Sequence, residues 1–481
     1  MSFNNKDKIM FYYNGNDIDV SGSNHYGCAI WPDGFSLRFI VDCGQYFGKW
    51  EKLNHTFPYR ASRVDLAFMT HPHIDHCGKF PKLIHDGFQG PIFTTVGSAL
   101  LYPNAIYNSG GIVLADAKKF NRTPDFTLDD IKESIENVEQ NKKQYNVEYK
   151  YNERVFFTFV RNQHIFGASS IKIRLHDPNP EVEDIVLFFE GDYNDRNQFL
   201  ENYDLPKEIT DTDYSCFFAE ATYGNTESKD IQHSFCEYLE KGVQNYDNIV
   251  IFAFAFGRTQ DVLFLIKKCQ ESGLVPPETR VFLDGNLAID NTYLISQNGK
   301  ELEIRESARD FLPKNLTIVD SETREHHIYS EGKKIFVTSS GMSTYGPAPK
   351  YLSSLIGDPR TLFIYGGYCT PSSVGGYLMG HNPGDIVSLF GQRHILRATI
   401  VYTSDLSGHG RVDKQLKHLA KFRTKSVIIV HGDLENQEAM KERVKKEIRP
   451  SKGAHVMERG YTYVITCYGV QKIFYSEPLE F

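Results

Sequence analysis

The 481-residue sequence predicts an α/β protein in which one α/β domain is interrupted by a second. Three observations predict it. Short apolar runs rich in β-branched and aromatic residues alternate with amphipathic stretches. The runs end in Gly, Asp or His. Residues of metal-ligand type gather at those ends before about Ala221 and after about Gln392, and are scarce between.

In chain order, SLRFIVDCG near Gly44, VDLAFMTHPH near His73, DIVLFFEGD at Asp192, SCFFAE at Glu220 and SVIIVHGD at Asp433 have the length and residue types of strands. TLDDIKESIENVEQ, residues 127–140, and DKQLKHLAKF, residues 413–422, read as helices, the first opening on a Thr-to-Asp start signal. Residues 248–269 read as strand, glycine turn and helix. RVFLDGN, KKIFVTSSGM and TLFIYGGY read as further buried strands. This block of roughly 170 residues is large enough to be a domain. The division read from the sequence is therefore 1–220, an insertion over 221–392, and 393–481.

A hydrophobic content of 41% allows one large core or two ordinary ones. The net charge of −8 and pI of about 6.1 exclude a protein that coats nucleic acid through bulk positive charge. A polyanionic substrate would have to be held by a local cluster of Lys, Arg and metal. The eight cysteines form no CxxC pair, which fits neither a disulfide framework nor a zinc knuckle and points to a reducing, cytoplasmic setting. No signal-peptide core opens the sequence, and no run approaches the roughly 18 apolar residues of a membrane span.

The densest chemical signal is Thr70-His71-Pro72-His73-Ile74-Asp75-His76, three imidazoles and a carboxylate at the mouth of an apolar strand. Imidazole and carboxylate suit zinc, and so many groups together would be poorly paired without an ion. The competing reading is a polar loop that happens to be His-rich. By alternation, His71 and His73 can face one ion while Asp75 and His76, past the turn, face a second. His164 in RNQHIFGASS, Asp192 in FFEGD and His431 in IIVHGD stand at comparable strand ends. Side chains just beyond the carboxyl ends of neighbouring strands converge on one crevice, so distant segments can complete one site.

The cluster resembles the HxHxDH signature of the metallo-β-lactamase superfamily, and Asp42, His71 to His76, His164 and Asp192 resemble its first four motifs in order. Glu220 in EATYGN, His409 in DLSGHGR and His431 in VHGD resemble motifs A, B and C of the β-CASP branch of nucleic-acid nucleases. FAFGRTQ, VFLDGNLA and VTSSGMSTYGPA are similar to blocks of that branch's cap domain, and the likeness spans about residues 15–440. The form resembled is the compact one known mainly from bacteria and archaea, within the ribonuclease J and cleavage and polyadenylation endonuclease group.

The resemblance implies an αββα sandwich interrupted by an α/β cap domain covering the active site. It implies one zinc on His71, His73 and His164, a second on Asp75, His76 and His431, Asp192 bridging them, and Asp42 orienting the ligands. Two such Zn2+ ions share a water-derived nucleophile and clamp the phosphate. Asp75 or Asp192 is placed to take the proton of the attacking water. His409, oriented by Glu220, is the candidate general acid, because an imidazole beside a carboxylate can hold a proton and hand it to an alkoxide; its plainer reading is a turn residue in SGHG. Arg258, Ser339, Ser340 and Gly341 are candidate phosphate contacts, or equally strand-ending turns. A histidine at motif C resembles the RNA-processing members, so the implied activity is zinc-dependent hydrolysis of single-stranded RNA. A DNA nuclease, a hydrolase of a small ester or thioester, and an inactive scaffold are the alternatives. A homodimer and the direction of cutting stay open.

Overall fold

The computed structural model describes residues 7–15, 20–230, 234–367, 369–370, 373–403 and 405–475. The chain divides into two compact units, one of Met1–Asn197, Asn202–Ser228 and His409–Phe481, the other of Gln198–Glu201 and Lys229–Gly408.

The first unit is built on two sheets. One has eight strands, with Gly469–Tyr475 and Tyr461–Thr466 joined through Met10–Gly15 to His25–Ile30, Ser36–Val41, Leu66–Phe68, Ile92–Thr95 and Lys142–Lys143. The other has seven, running from Ala454–Val456 through Val427–Val430, Cys216–Glu220, Ile185–Phe189 and Ser169–Leu175 to Val155–Arg161 and Glu148–Asn152. Their inner faces share one apolar cluster that includes Phe11, Phe39, Phe68, Phe157, Ile173, Phe189 and Phe218. Each such side chain taken fully from water contributes about 1.5–3 kcal/mol, which drives the sheets together.

Separate apolar clusters cover the outer faces. One packs Phe80, Tyr102, Ile106 and Ile131 over the first sheet, from helices that include Val96–Lys119 and Leu128–Asn141. The other packs Leu416, Leu419 and Met440 over the second, from Val412–Leu419 and Leu434–Arg443, with Phe422 from the turn after the first of these. The result is the expected αββα order of layers. The helix anticipated over 127–140 is Leu128–Asn141, capped by Thr127 and closed by a reciprocal Thr127 and Asp130 capping box, a device worth about 1 kcal/mol.

The second unit carries a six-stranded parallel sheet in the order Leu316–Val319, Arg280–Asp284, Lys334–Thr338, Asn248–Phe252, Thr361–Tyr365 and Thr399–Tyr402. The last of these lies beyond the edge at 392 read from the sequence. It pairs with Thr361–Tyr365, from Leu362 against Thr399 to Tyr365 against Tyr402, so the interruption runs to 408. The short segment Gln198–Glu201 also belongs to this unit: Phe199 packs on Phe264 and Phe311, and Leu200 bridges Ile304. Among the described residues, no helix is long and apolar enough to cross a membrane.

Candidate metal centre

Six strand ends of the first unit meet at one edge of the sandwich. Ser36–Val41 and Leu66–Phe68 are parallel neighbours, and Asp42 and the His71–His76 loop follow them. In the second sheet Ile185–Phe189, Cys216–Glu220 and Val427–Val430 run parallel. Val155–Arg161 points the same way, through the intervening antiparallel Ser169–Leu175. The residues just beyond these four ends are Asp192, Glu220 at its strand's terminus, His431 and His164. Asp42 and His431 leave their strands with φ of 62° and 47°, turning abruptly toward the crevice. Gly44 lets the Asp42 loop press against the histidine loop, since a Cβ there would lie 1.6 Å from the carbonyl oxygen of Asp75.

The side chains form two nested groups. His71 Nε2 and His164 Nε2 lie 3.0 and 3.1 Å from His73 Nδ1, and Asp192 Oδ2 is 3.5 Å from each of those Nε2 atoms. His76 Nε2 lies 3.2 Å from Asp192 Oδ1 and 3.8 Å from Asp75 Oδ2, and His431 Nε2 is 3.7 Å from Asp75 Oδ2. Asp192 therefore presents one oxygen to each group. The donor set fits zinc: a tetrahedron with arms of 2.0–2.1 Å has edges of about 3.3 Å, close to the separations in the first group. One Nδ1 hydrogen on His73 can serve only one of the two Nε2 lone pairs it faces. Asp192 Oδ1, His76 Nε2 and His431 Nε2 are buried with no hydrogen-bond partner among the described residues, which a cation between them would supply.

Behind the ligands, a second layer sets tautomers. Asp42 Oδ2 accepts from His76 Nδ1 at 2.8 Å, and Asp42 Oδ1 accepts the Thr70 N–H at 2.8 Å. The Thr70 hydroxyl donates to Asp42 and accepts from His71 Nδ1 at 3.0 Å. One carboxylate thus directs the Nε2 lone pairs of His71 and His76, which stand in different groups. The Thr222 hydroxyl does the same for His431, 3.0 Å from its Nδ1.

Electrostatics splits the rings. Burial drives His71 well below the usual imidazole range and His73 down to about 4, so both keep a free lone pair at neutral pH. In His76 and His431 burial acts the same way, but Asp192 foremost outweighs it, aided by Asp42 at His76 and by Asp75 at His431. His76 is held well above its ordinary value and His431 at about 9.

Beside the ligands, His409 Nδ1 lies 3.1 Å from Glu220 Oε1 while its Nε2 faces Asp192 Oδ2 at 3.8 Å. Glu220 is fixed by backbone donors, Oε1 accepting from Tyr193 N–H at 3.3 Å and Oε2 from Thr222 N–H at 2.8 Å. The side chains of His409 and Asp75 are 19% and 21% exposed against 1–4% for His71, His76, His164, Asp192 and His431, which marks the face open to solvent.

The chain matches two family models, a Beta-Casp domain over residues 259–378 and a Zn-dependent metallo-hydrolase RNA specificity domain over 393–456. The chain thus carries a Beta-Casp domain and the RNA specificity domain of Zn-dependent metallo-hydrolases. It is 26% identical over 428 residues to Ribonuclease TTHA0252 of Thermus thermophilus, covering 87% of its own length and 91% of that protein. It is 24% identical to an RNase J-like protein of Methanocaldococcus jannaschii, covering 82% of itself and 87% of the relative. To Cleavage and polyadenylation specificity factor 73 of Drosophila melanogaster it is 22% identical, covering 85% of itself but 58% of that longer protein. A crystal structure of a protein of unknown function from Enterococcus faecalis shares the fold, with a TM-score of 0.52, 14% identity and coverage of 95% and 100% of the two chains.

The candidate metal centre also involves residues that motif reading passes over. Thr70 and Thr222 orient histidines, and nothing but their place beside His71 and after Glu220 marks them in the sequence. Asn162 binds the loops together, its amide donating to the Asp192 carbonyl at 2.9 Å and its oxygen accepting the His164 N–H at 3.2 Å. Glu190 is buried, its carboxyl pushed well above the usual range by burial and then by Glu220, and it accepts the Glu220 N–H at 3.0 Å. The four remaining candidates lie in the second unit. Arg258 opens the helix Arg258–Glu271 and pairs with Asp261 at 2.9 Å, while Ser339, Ser340 and Gly341 follow the adjacent strand Lys334–Thr338. The two turns share one end of the parallel sheet, where a Cβ on Gly341 would lie 2.9 Å from the Phe254 nitrogen.

Proposed function

We propose that this chain is a zinc-dependent ribonuclease that hydrolyses phosphodiester bonds of single-stranded RNA. The observation that carries the reading is the Asp192 carboxylate, with Oδ2 facing His71 and His164 and Oδ1 facing His76 and His431, an arrangement suited to holding two cations side by side. The RNA specificity domain over 393–456 and the ribonuclease names of its relatives support RNA as the substrate.

His71, His73, His164 and Asp192 would hold one zinc, and Asp75, His76, His431 and Asp192 the other. When bound, the pair supplies Lewis acidity that activates water and neutralises the phosphate. Asp75, the carboxylate at the cluster's open face, and Asp192, buried between the two ligand groups, are then the acceptors of the water's proton. His409 gives its Nδ1 hydrogen to Glu220 and points Nε2 into the centre, so a proton on Nε2 is directed at the departing ribose oxygen. Without that donor the leaving group must depart as an alkoxide.

Incubating purified protein and zinc with RNA labelled separately at each end, beside a DNA of the same sequence, tests the reading. The expected result is cleavage of RNA that stops on chelation and leaves DNA intact. Metal-loaded protein that leaves RNA whole while opening DNA or a small thioester overturns it.

A further inference from the structure

A cavity of about 280 Å³ opens in the first unit on the flank of the metal centre. Its lining continues the site's own segments. Gln163 precedes His164, and Tyr193 follows Asp192, sends its N–H to Glu220 and accepts the Gly410 N–H at 2.7 Å, next to His409. The cavity wall therefore begins one residue from two proposed ligands, His164 and Asp192, and is hydrogen-bonded to the neighbour of the proposed acid.

Its charge is opposite to that of the chain as a whole. Lys414, Lys417 and Lys421 stand at steps of three and four along Val412–Leu419 and the turn after it, forming one stripe on the cavity wall, with Arg161 on another wall. Two carboxylates, Asp195 and Asp204, also line it. Lys414 pairs with Asp195 at 2.9 Å, whereas neither Lys417 nor Lys421 pairs with an acidic side chain among the described residues. Like charges three and four residues apart repel, so Lys417 and Lys421 favour an anion entering the cavity. In a chain of net charge −8, this is where a polyanion finds a local attraction beside the reacting centre. The volume lies just below the ~300–1,000 Å³ range of small-ligand sites, a size that matches a single nucleotide. Tyr203 and the amides of Asn194 and Asn202 complete walls of the aromatic and amide kind that accept a base.

We infer that this cavity is a subsite for the backbone of the RNA strand, one nucleotide in size, with Lys417, Lys421 and Arg161 receiving its phosphate. The inference rests on the ribonuclease reading and adds where the strand runs beyond the scissile bond.

The test uses full-length, zinc-loaded protein carrying Lys417→Ala and Lys421→Ala together, with Lys118→Ala and Lys119→Ala as a pair of equal charge change outside the cavity. Both pairs are exposed, so folding is expected to hold, and circular dichroism checks it. On a labelled single-stranded RNA the cavity variant should raise KM roughly tenfold with kcat within about twofold, and flatten the log–log salt dependence of binding by about 0.7, the contribution of one phosphate. The control pair should leave both unchanged. RNA cleavage with KM and salt slope unaltered in the cavity variant, or altered equally by the control pair, overturns the subsite while leaving the ribonuclease reading intact. Wild-type protein that neither binds nor cuts RNA overturns both.

Discussion

Asp42→Asn should weaken both cations of the proposed pair at once, although Asp42 touches neither. Its carboxylate accepts directly from His76 Nδ1 at 2.8 Å and, through the Thr70 hydroxyl, governs His71 Nδ1 at 3.0 Å. The two imidazoles stand in different ligand groups. Asn is the gentlest replacement, because it tolerates the left-handed backbone that Asp42 adopts at φ 62°. Its single carbonyl oxygen cannot satisfy both His76 and the Thr70 donors, and its amide hydrogens would face donors in a site that is 1% exposed. Losing such an orienting partner typically costs 10–100-fold in metal affinity, about 1.4–2.8 kcal/mol for each ion. Thr70→Val should weaken one ion only, because the contact of Asp42 with His76 survives. Competition of each variant against a zinc chelator of known affinity reads both stoichiometry and Kd. Two unshifted binding steps in Asp42→Asn, or equal losses at both steps in Thr70→Val, would refute the reasoning.

Asp192→Ala removes an oxygen from each ligand group and should lose zinc and RNA cleavage together; metal content still near about two per chain would contradict the bridging role. His409→Ala should keep both metals yet lose about 10²–10⁴-fold in kcat, and undiminished turnover would remove it from the acid step. His418 offers a test of folding linkage. Burial, then Lys421, lowers it from 6.5 to about 3, so below pH 6.5 the unfolded chain takes a proton that the folded chain refuses. Stability should therefore fall by about 1.4 kcal/mol for each pH unit from 6.5 toward 3, and His418→Phe should lose that part of the acid sensitivity. Urea midpoints of the two proteins at pH 7 and pH 5 decide it, since parallel changes would exclude His418 as the cause.

How legible the molecule was in its sequence depended on the scale of the signal. Strands such as Ile185–Phe189 and Val427–Val430 are continuous apolar runs buried on both faces, and these announce themselves. The helix Leu128–Asn141 was legible for a different reason, its cap being local chemistry three residues apart. The far edge of the insertion was not. Thr399–Tyr402 is a four-residue strand that could serve either unit, and only its register against Thr361–Tyr365 assigns it. In the metal centre, histidines and aspartates stand out because they are scarce at strand ends elsewhere. Thr70, Thr222 and Asn162 do not, since a hydroxyl or amide acquires its role from a partner that is distant in sequence or indistinguishable from any neighbour. Glu190 was hidden because its work is done on the backbone of Glu220, thirty positions along.

The convergence of the strand ends also bears on folding. The loop after Leu66–Phe68 grows from one sheet and the segments bearing His164, Asp192 and His431 from the other, so the two proposed cations, each held from both sheets, would clamp the rim of the sandwich shut. An ion that binds the folded chain alone adds about 2.7 kcal/mol of stability at a hundredfold excess over its Kd. On the proposed zinc reading, melting temperature becomes a gauge of metal supply.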